Sequence, residues 1–141
     1  AELSGGLKKL APTLKKTPVL LLNAQEAQML AGSKSIPHNL SELSKLSKIT
    51  VITDGKNGSA AQSGGKTFFQ KAFSVKIADT TGAGDAFCCA FVASMIKGKQ
   101  TGYALAAGAA NASSVIRHLG AKNILLNQTQ LGKTISQFRK K

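Results

Sequence analysis

The sequence predicts an α/β domain with a mostly parallel central sheet, and three observations support this prediction. Two strand-sized runs, residues 18–22 and 49–53, consist mostly of apolar residues, as is typical of parallel strands covered on both faces. Segments with leucines at helical spacing alternate with these runs. A hairpin pattern and then a group of helices rich in small residues follow. Strands and helices in this order indicate a layered α/β domain.

Helices and strands alternate in the first half of the chain. Residues 4–16 carry leucines at helical spacing and predict an amphipathic helix, in which Pro12 weakens the middle and favours a kink. The first strand follows, and a short helix then runs between Asn23 and Gly32. A third helix is predicted before the second strand from its leucines, which are Leu40, Leu43 and Leu46.

The second half begins with a predicted β-hairpin. Residues 58–62 and 66–70 flank Ser63, Gly64 and Gly65, a combination that favours a tight turn between two strands. Residues 72–77 then form one more extended segment.

Three helices complete the predicted fold. The first begins at Asp85 and is ended by Gly98. The second, residues 101–118, is rich in alanine, glycine and serine, so its small side chains allow close packing. Asn127 caps the last helix, which continues through Phe138.

Composition excludes several classes of protein. The 141 residues suit one domain, and the 43% of hydrophobic residues argue against a disordered or a membrane class. No apolar run approaches the ~20 residues that span a bilayer, and the first residues lack the apolar stretch of a secretory signal. Cys88 and Cys89 are adjacent, and with only two histidines they form no zinc pattern. We therefore expect a cytoplasmic protein.

The net charge of +13 is the most unusual bulk property. Tryptophan is absent and Tyr103 is the only tyrosine, so the aromatic platform of a single-strand nucleic-acid binder is missing. We interpret the lysines as a solvated basic surface that steers ATP and phosphorylated ligands, and we expect no dedicated nucleic-acid site.

Polar residues follow three of the predicted extended segments. Asn23 follows the first strand, residues 53–55 end the second, and residues 79–81 follow the segment 72–77. Ligand sites of parallel α/β sheets lie beyond the carboxyl ends of the strands. We therefore expect these polar residues on one face of the sheet.

The segment from Gly82 to Asp85 combines two glycines with a helix start. The glycines allow a tight turn and leave consecutive backbone N–H groups uncovered, at the positive end of the helix dipole. This arrangement predicts an anion site. Asp85 lies in the first helical turn beside it, where its carboxylate can accept a hydroxyl proton during attack on phosphorus.

Two other phosphate-binding motifs and an ordinary turn are the alternatives for this segment. A dinucleotide-binding fingerprint requires a third glycine where Phe87 stands, and a Walker A loop requires a Gly-Lys-Ser/Thr sequence that the chain lacks. On these four residues alone, an ordinary glycine-rich turn in which Asp85 stabilises a helix N-terminus remains an alternative interpretation.

The longer string Asp79-Thr-Thr-Gly-Ala-Gly-Asp-Ala-Phe87 closely resembles the C-terminal signature of the ribokinase-like, or PfkB, family of carbohydrate kinases. The resemblance implies a three-layer ribokinase-like fold and ATP-dependent transfer of the γ-phosphoryl group to an alcohol of a sugar, nucleoside or related small molecule. It implies Asp85 as catalytic base and the N–H groups of Gly82, Ala83 and Gly84 as the anion hole. Residues 1–141 would form the C-terminal nucleotide-binding and catalytic part, without the N-terminal sugar-binding and lid portion.

Two further landmarks of the family occur in the same order. Asn23 and Glu26 match its Asn-x-x-Glu motif, which implies a role with Mg²⁺ and phosphate through water, although the same residues also form a capping box. Thr53, Gly55 and Gly58 match its Thr-x-Gly-x-x-Gly loop at the nucleotide phosphates, and the alternative is a plain turn before the hairpin.

The resemblance also implies an adenine contact and a monovalent-cation site. Asn111 lies in a stretch similar to the helix that borders the adenine, where it contacts the base or only packs within the helix. Asp79, the Thr81 carbonyl and the backbone near Gly120 match the positions of a potassium site found in many members.

The absent N-terminal portion has two implications. Removing strands from a parallel sheet leaves an unpaired apolar edge that favours association, so homo-oligomerisation stays open. The residues that position the acceptor alcohol would also be absent, so we expect weak nucleotide binding and little kinase activity from the segment alone. The rival hypothesis is a catalytically incomplete, kinase-like module that binds nucleotide or acts as a basic interaction partner.

Overall fold

The computed structural model describes residues 6–120 and 124–139, apart from the side chains of residues 6 and 139. It forms two compact units. The sheet unit contains the residues up to Asp54 and Ser59–Phe69, and the helical unit contains Gly55–Gly58 and the residues from Gln70 onward. The elements in chain order are α1 (Gly6–Leu14), β1 (Val19–Asn23), α2 (Ala24–Ala31), α3 (Ile36–Leu43), β2 (Ile49–Thr53), a single 3₁₀ turn (Gly55–Asn57), β3 (Ser59–Ser63), β4 (Lys66–Gln70), α4 (Ala83–Ile96), α5 (Thr101–Val115) and α6 (Gln128–Arg139).

The four strands form one sheet in the order β1-β2-β3-β4. Strands β1 and β2 are parallel, and Leu21 lies opposite Val51. Strands β2 and β3 are antiparallel, and Val51 also lies opposite Ala61. Parallel neighbours need a long crossover, which α2 and α3 provide here, whereas β2 and β3 need only a short connection. The α/β class is confirmed, and the sheet within this chain is mixed.

The hydrophobic core of the sheet unit lies between the strands and the helices α2 and α3. Helix α1 adds the partly buried Leu7, Leu10 and Leu14, which are the residues whose spacing predicted it. The core residues are Leu20, Leu22, Ala27, Leu30, Leu40, Leu43, Ile52 and Ala60. Among them, Leu40 and Leu43 are buried as their helical spacing predicted, because residues three and four apart share one helix face.

The helix limits in the sheet unit agree closely with the prediction. Helix α1 covers most of the predicted 4–16 segment, of which residues 4 and 5 lie outside the described residues, and it keeps Pro12 inside. Helix α2 ends at Gly32, whose φ of 78° is the left-handed conformation that favours glycine at a helix C-terminus. Helix α3 ends at Leu43, so Leu46 lies beyond it.

The predicted hairpin is confirmed, and its turn has two residues rather than three because β3 includes Ser63. Gly64 and Gly65 have φ values of 55° and 74°. Two successive positive φ angles define the type I′ turn, whose twist matches that of antiparallel strands. Glycine at both positions explains why this sequence forms the turn.

The helical unit is organised by the packing of α4 against α5. Gly108 on α5 lies so close to the ring of Phe87 that a Cβ atom there would approach it to 2.8 Å. A cluster of Ala90, Ala106, Ala107 and Ala110 with Ile135 of α6 fills the rest of the interface. The prediction that small residues allow close helix packing is confirmed.

Some limits in the helical unit differ from the prediction. Residues 72–77 form no strand in the described structure, and Phe73 instead stacks on Phe138 with ring centroids 4.1 Å apart. Helix α4 begins at Ala83, before Asp85, and α5 ends at Val115 rather than at residue 118. Asn127 precedes α6 and caps it as predicted, because its Oδ1 accepts from the Gln130 N–H. No helix within residues 6–120 and 124–139 has the length and apolar character to cross a membrane.

Candidate active site

A tight turn leads into α4. The Ala83 N–H donates to the Thr80 carbonyl at 3.2 Å, which closes a four-residue turn. Gly82, the third residue of that turn, has φ 77° and ψ 0°, the conformation of this position in a type II turn. Because a side chain is strained at such a positive φ, the turn requires glycine here.

The turn leaves several backbone donors free at the start of α4. The first helical hydrogen bond runs from the Ala86 N–H to the Gly82 carbonyl at 2.9 Å, and no side chain caps the helix. Within the described part of the chain, the N–H groups of Gly82, Gly84 and Asp85 have no acceptor. The Ala83 N–H already has the Thr80 carbonyl as acceptor. Free N–H groups at the positive end of a helix form an anion site.

Asp85 is the third residue of α4 and its side chain is exposed. Its carboxylate accepts no hydrogen bond and forms no ion pair with any residue that the structure describes. Asp85 makes no side-chain cap, so its stabilisation of the helix N-terminus, the alternative role, comes from the helix dipole alone. A carboxylate that is free of partners can accept a proton from a bound hydroxyl.

Asp79 holds the other end of the turn. Its Oδ1 accepts from the Thr81 N–H at 2.9 Å and from the Thr81 hydroxyl at 2.7 Å, and its Oδ2 accepts from the Gly120 N–H at 3.3 Å. The Thr81 N–H, and then its hydroxyl and the Gly120 N–H, hold the pKa of Asp79 below its ordinary value. Asp79 is therefore ionised at neutral pH.

The oxygens of Asp79 and Thr81 are the candidate ligands of a monovalent cation. Protein donors engage both carboxylate oxygens, which leaves Oδ2 with room for one more partner. The Thr81 carbonyl accepts no backbone hydrogen bond from the described residues. These two oxygens are compatible with a cation, although the carboxylate already has a role within the turn.

Asn23 and Glu26 form a complete capping box at the start of α2. Asn23 Oδ1 accepts from the Glu26 N–H at 2.9 Å, and Glu26 Oε2 accepts from the Asn23 N–H at 2.8 Å. Glu26 Oε1 has no protein partner in this box, so it can still contact an ordered water. The capping alternative left open by the sequence is thus present, and it leaves one carboxylate oxygen for water-mediated contact with Mg²⁺.

No cluster of side chains that could hold a metal ion by itself is found within residues 6–120 and 124–139. These residues contain no group of three or more His, Cys, Asp or Glu side chains that could hold an ion. Mg²⁺ usually keeps several waters and binds through one or two carboxylates and substrate phosphates. The Oε1 of Glu26 is compatible with such a water-mediated contact.

Asn23 and Thr53 lie side by side at the carboxyl ends of parallel strands. They are opposite each other in the register of β1 and β2, as predicted from their positions after the two apolar runs. The Thr53 hydroxyl makes a long hydrogen bond of 3.4 Å to the Leu22 carbonyl, and the side chain is half-buried. Within the sheet unit, the predicted edge of polar residues is confirmed for this pair.

The glycines of the predicted phosphate loop differ in what they do. Gly58 has φ 102°, and a Cβ atom there would lie 2.2 Å from the Gln70 carbonyl oxygen, so packing alone requires glycine. Gly55 has φ 49° and open space around its missing Cβ. Gly58 therefore fits the plain-turn alternative, and Gly55 is the residue at which a ligand can approach the backbone.

Asn111 is a buried link between three segments of the helical unit. Its Nδ2 donates to the Ala86 carbonyl and its Oδ1 accepts from the Leu126 N–H, both at 2.8 Å, and the residue is 4% exposed. Of the two alternatives for Asn111, this geometry favours packing over contact with a base. The sequence contained no signal for these bonds, because they join residues far apart along the chain.

Three comparisons relate the chain to known proteins. A family model described as pfkB family carbohydrate kinase matches residues 4–128. The ATP-dependent 6-phosphofructokinase of Thermoanaerobacterium thermosaccharolyticum is 27% identical over 117 residues, which are 82% of this chain and 36% of that protein. An uncharacterized sugar kinase of Archaeoglobus fulgidus is 33% identical over 96 residues, 67% of this chain and 38% of that protein.

Solved structures show the same fold. The ribokinase of Arabidopsis thaliana, complexed with ribose and ATP, is 28% identical with a TM-score of 0.79, and the match covers 89% of this chain and 43% of that one. The nucleoside kinase of Methanocaldococcus jannaschii has a TM-score of 0.81 at 22% identity, covering 94% of this chain and 44% of that one. The expected ribokinase-like fold is confirmed, and the chain spans less than half the length of these proteins.

Proposed function

Since the chain belongs to the pfkB family of carbohydrate kinases, we propose that it supplies the nucleotide-binding and catalytic part of an ATP-dependent phosphotransferase. The acceptor is an alcohol of a sugar, a nucleoside or a related small molecule. Relatives named for 6-phosphofructokinase, 2-dehydro-3-deoxygalactonokinase and nucleoside kinase activities support this range of acceptors. Its place is the cytoplasm, where ATP is available and where Cys88 and Cys89, which form no disulfide, stay reduced.

The start of α4 is the observation that carries this proposal. Among the described residues, the N–H groups of Gly82, Gly84 and Asp85 have no acceptor, and the Asp85 carboxylate beside them has no partner. A phosphoryl group in transfer needs donors for its equatorial oxygens, and the attacking alcohol needs a base. This one turn and helix provide both.

The proposed reaction assigns each atom of the transfer. The alcohol oxygen forms a bond to the γ-phosphorus while the bond from that phosphorus to the bridging oxygen breaks, which releases ADP. Asp85 accepts the alcohol proton. The N–H groups of Gly82 and Gly84 stabilise the negative charge on the transferred group, and the Ala83 N–H remains in the turn.

A magnesium ion, when bound, neutralises phosphate charge. We assign Asn23 and Glu26 to ordering its waters, because the capping box fixes Glu26 and leaves its Oε1 available. We assign Asp79 and the Thr81 carbonyl to a monovalent cation, with potassium as the candidate. For the nucleotide itself, Thr53 and Gly55 remain our candidates, whereas Gly58 and Asn111 have packing roles.

The chain matches only 36% and 38% of the length of its curated relatives. We found no residue to which the acceptor can be assigned. We therefore expect the 141-residue chain to bind MgATP weakly and to show little turnover, because positioning of the acceptor contributes much of the rate of phosphoryl transfer.

The experiment titrates the chain with MgATP by calorimetry and measures ADP release in a coupled assay over a panel of sugars and nucleosides. Saturable MgATP binding that competes with inorganic phosphate is the expected result. Absence of nucleotide binding at millimolar ATP would contradict the proposal. The +13 charge motivates a parallel titration with single-stranded DNA and RNA at two salt concentrations. Tight binding there, without ATP binding, would favour the basic interaction module instead.

A further inference from the structure

The carboxylate of Asp79 is held in place by hydrogen bonds from Thr81 and Gly120. Two donors of Thr81, the backbone N–H and the hydroxyl, converge on Oδ1 at 2.9 and 2.7 Å. A carboxylate that accepts from a residue two positions later closes a small side-chain turn. Thr81 is the residue immediately before Gly82, so this bond sets the backbone at the entrance to the α4 turn.

A second arm of the same carboxylate connects the turn to the end of α5. Asp79 Oδ2 accepts from the Gly120 N–H at 3.3 Å. The backbone beside it is held as well, since the Ala78 N–H donates to the Ile116 carbonyl at 2.7 Å and the Asp79 N–H approaches the same carbonyl at 3.3 Å. The turn before α4 is therefore attached to residues about 40 positions later in the chain.

The α4 turn has few internal interactions that would keep it ordered, and the contacts of Asp79 supply such interactions from outside. Two of its four residues from Gly82 to Asp85 are glycines, which lose more conformational entropy on ordering than any other residue. Its free N–H groups gain no internal hydrogen bonds that would keep them in place. Bonds to an ionised acceptor are among the strongest in proteins, so a carboxylate is well suited to order this turn from outside.

We propose that Asp79 is a positioning residue, whose carboxylate orders the α4 turn through Thr81 and attaches it to residue 120. The role rests on the proposed function, because it is the phosphoryl group that the ordered N–H groups bind. It is distinct from cation binding, since the three hydrogen bonds are made by protein donors alone. Without the carboxylate, the turn samples conformations in which the donors of Gly82 and Gly84 diverge.

The two arms can be separated by substitution. Asp79→Asn keeps an oxygen for the two donors of Thr81 but places an NH₂ group where Gly120 needs an acceptor. Asp79→Ala removes both arms. Thr81→Val deletes only the hydroxyl bond and preserves the backbone bond and the side-chain shape. The matched control is Thr80→Val, because the exposed Thr80 side chain makes no hydrogen bond in the described structure.

The test measures backbone order and ATP affinity in the whole 141-residue chain without potassium. Chains labelled with ¹⁵N-glycine report fast motion at Gly82, Gly84 and Gly120 through heteronuclear NOEs without nucleotide. In wild type and Thr80→Val, Gly82 and Gly84 should be as rigid as Gly108 inside α5. In Asp79→Ala both should become mobile, and ATP affinity should fall about tenfold, the factor for one hydrogen bond to a charged group. Asp79→Asn should restore Gly82 and Gly84, but not Gly120.

Three results would overturn the proposal. The first is unchanged order and affinity in folded Asp79→Ala, with folding checked by circular dichroism. The second is identical behaviour of Asp79→Asn and Asp79→Ala at Gly82 and Gly84. The third is a wild-type turn that becomes ordered only when KCl is added, since a cation would then be the ordering element. If Asp79→Ala does not fold, Thr81→Val against Thr80→Val decides by the same NOEs. A wild type that is ordered but binds no ATP contradicts the proposed function and leaves the role of Asp79 to the NOE comparison.

Discussion

The helices α2 and α4 begin in opposite ways. At α2, Asn23 and Glu26 exchange hydrogen bonds, so the side chains of the helix satisfy its own first donors. At α4, the capping position is Gly82, which has no side chain, and the N–H groups of Gly84 and Asp85 find no acceptor among the described residues. Helix α6 follows the first pattern, because Asn127 and Gln130 form the same reciprocal pair.

The difference supports the proposal that the start of α4 binds a ligand. A side-chain cap contributes ~1 kcal/mol to stability, and α4 does without it. A helix start that leaves donors uncovered beside the carboxylate of Asp85 sacrifices stability, and the proposed anion would compensate for the loss. At the start of α2, both hydrogen bonds of the capping box are formed. A ligand there can contact only the Oε1 of Glu26, which the box does not use.

Among changes at the uncapped start of α4, substitution of Asp85 should have the largest effect, which is on kcat. In a kinase assembled from this segment and an acceptor-binding portion, Asp85→Asn should lower kcat by roughly 10²–10⁴-fold, the usual contribution of a general base. MgATP affinity should stay within a few-fold, because no described donor bonds to this carboxylate. Steady-state kinetics together with calorimetry measure the two quantities. Glu42→Gln, an exposed change in the sheet unit, serves as control, and retention of kcat by Asp85→Asn would refute its role as base.

The two glycines of the open start should respond in opposite directions. Gly82→Ala forces a side chain to φ 77° and should lower the free energy of unfolding by about 1–2 kcal/mol. Gly84→Ala meets no atom within 4 Å and lies inside the helix, so it should raise stability by roughly 0.5–1 kcal/mol. Both should weaken ATP binding, the first by distortion and the second by covering the donors. Urea denaturation and calorimetry give the two values, and Gly84→Ala with unchanged ATP affinity would place the phosphate elsewhere.

Substitutions in the capping box of α2 should mainly change the stability of the protein. Asn23→Ala removes the acceptor for the Glu26 N–H and should cost ~1 kcal/mol in urea denaturation. Glu26→Gln keeps an oxygen for the Asn23 N–H and should cost only a few tenths of a kcal/mol through the helix dipole. If Glu26 also orders magnesium waters, Glu26→Gln should raise the magnesium concentration needed for half-maximal ATP binding. An unchanged magnesium requirement would reduce Glu26 to its capping role.

The smallest expected effect is a pH dependence from Asp79. Donation from Thr81 holds the pKa of Asp79 below its ordinary value of 3.8, so the folded state favours the ionised form. The resulting stability is fully present above that ordinary value and is lost as the pH falls through the lowered one. Asp79→Asn should therefore flatten the loss of stability below about pH 4, with no change in slope between pH 5 and 7. Thermal melting at 0.5-unit pH steps measures it, and parallel curves for the two proteins would contradict the assignment.

Much of the local structure could be predicted from the sequence. The apolar runs became β1 and β2, most leucines at helical spacing lie in or against the core of the sheet unit, and Gly64 and Gly65 formed the hairpin turn. The cap at Asn127 and the Gly82 turn were likewise found. In each case the signal lies within a few neighbouring residues, because turns, caps and amphipathic faces are decided by local backbone conformation and side-chain spacing.

Two errors have a common origin. Residues 72–77 have the composition of a strand but find no partner strand, and Phe73 packs on Phe138 instead. Residues 116–118 continue the pattern of α5, yet the Ile116 carbonyl accepts from the Ala78 and Asp79 N–H groups at the point where the helix has ended. Contacts with distant segments decided both regions, and local propensity carries no information about them.

The sequence by itself determined the family motif, the glycines and the presence of a carboxylate at Asp85, because these depend on residue type and close spacing. Only the tertiary structure decided which motif residues are available. It showed that packing uses Gly58 and Asn111, that the Ala83 N–H belongs to the turn, and that Gly120 reaches Asp79. Each of these outcomes depends on hydrogen bonds or close contacts between atoms that only folding brings together.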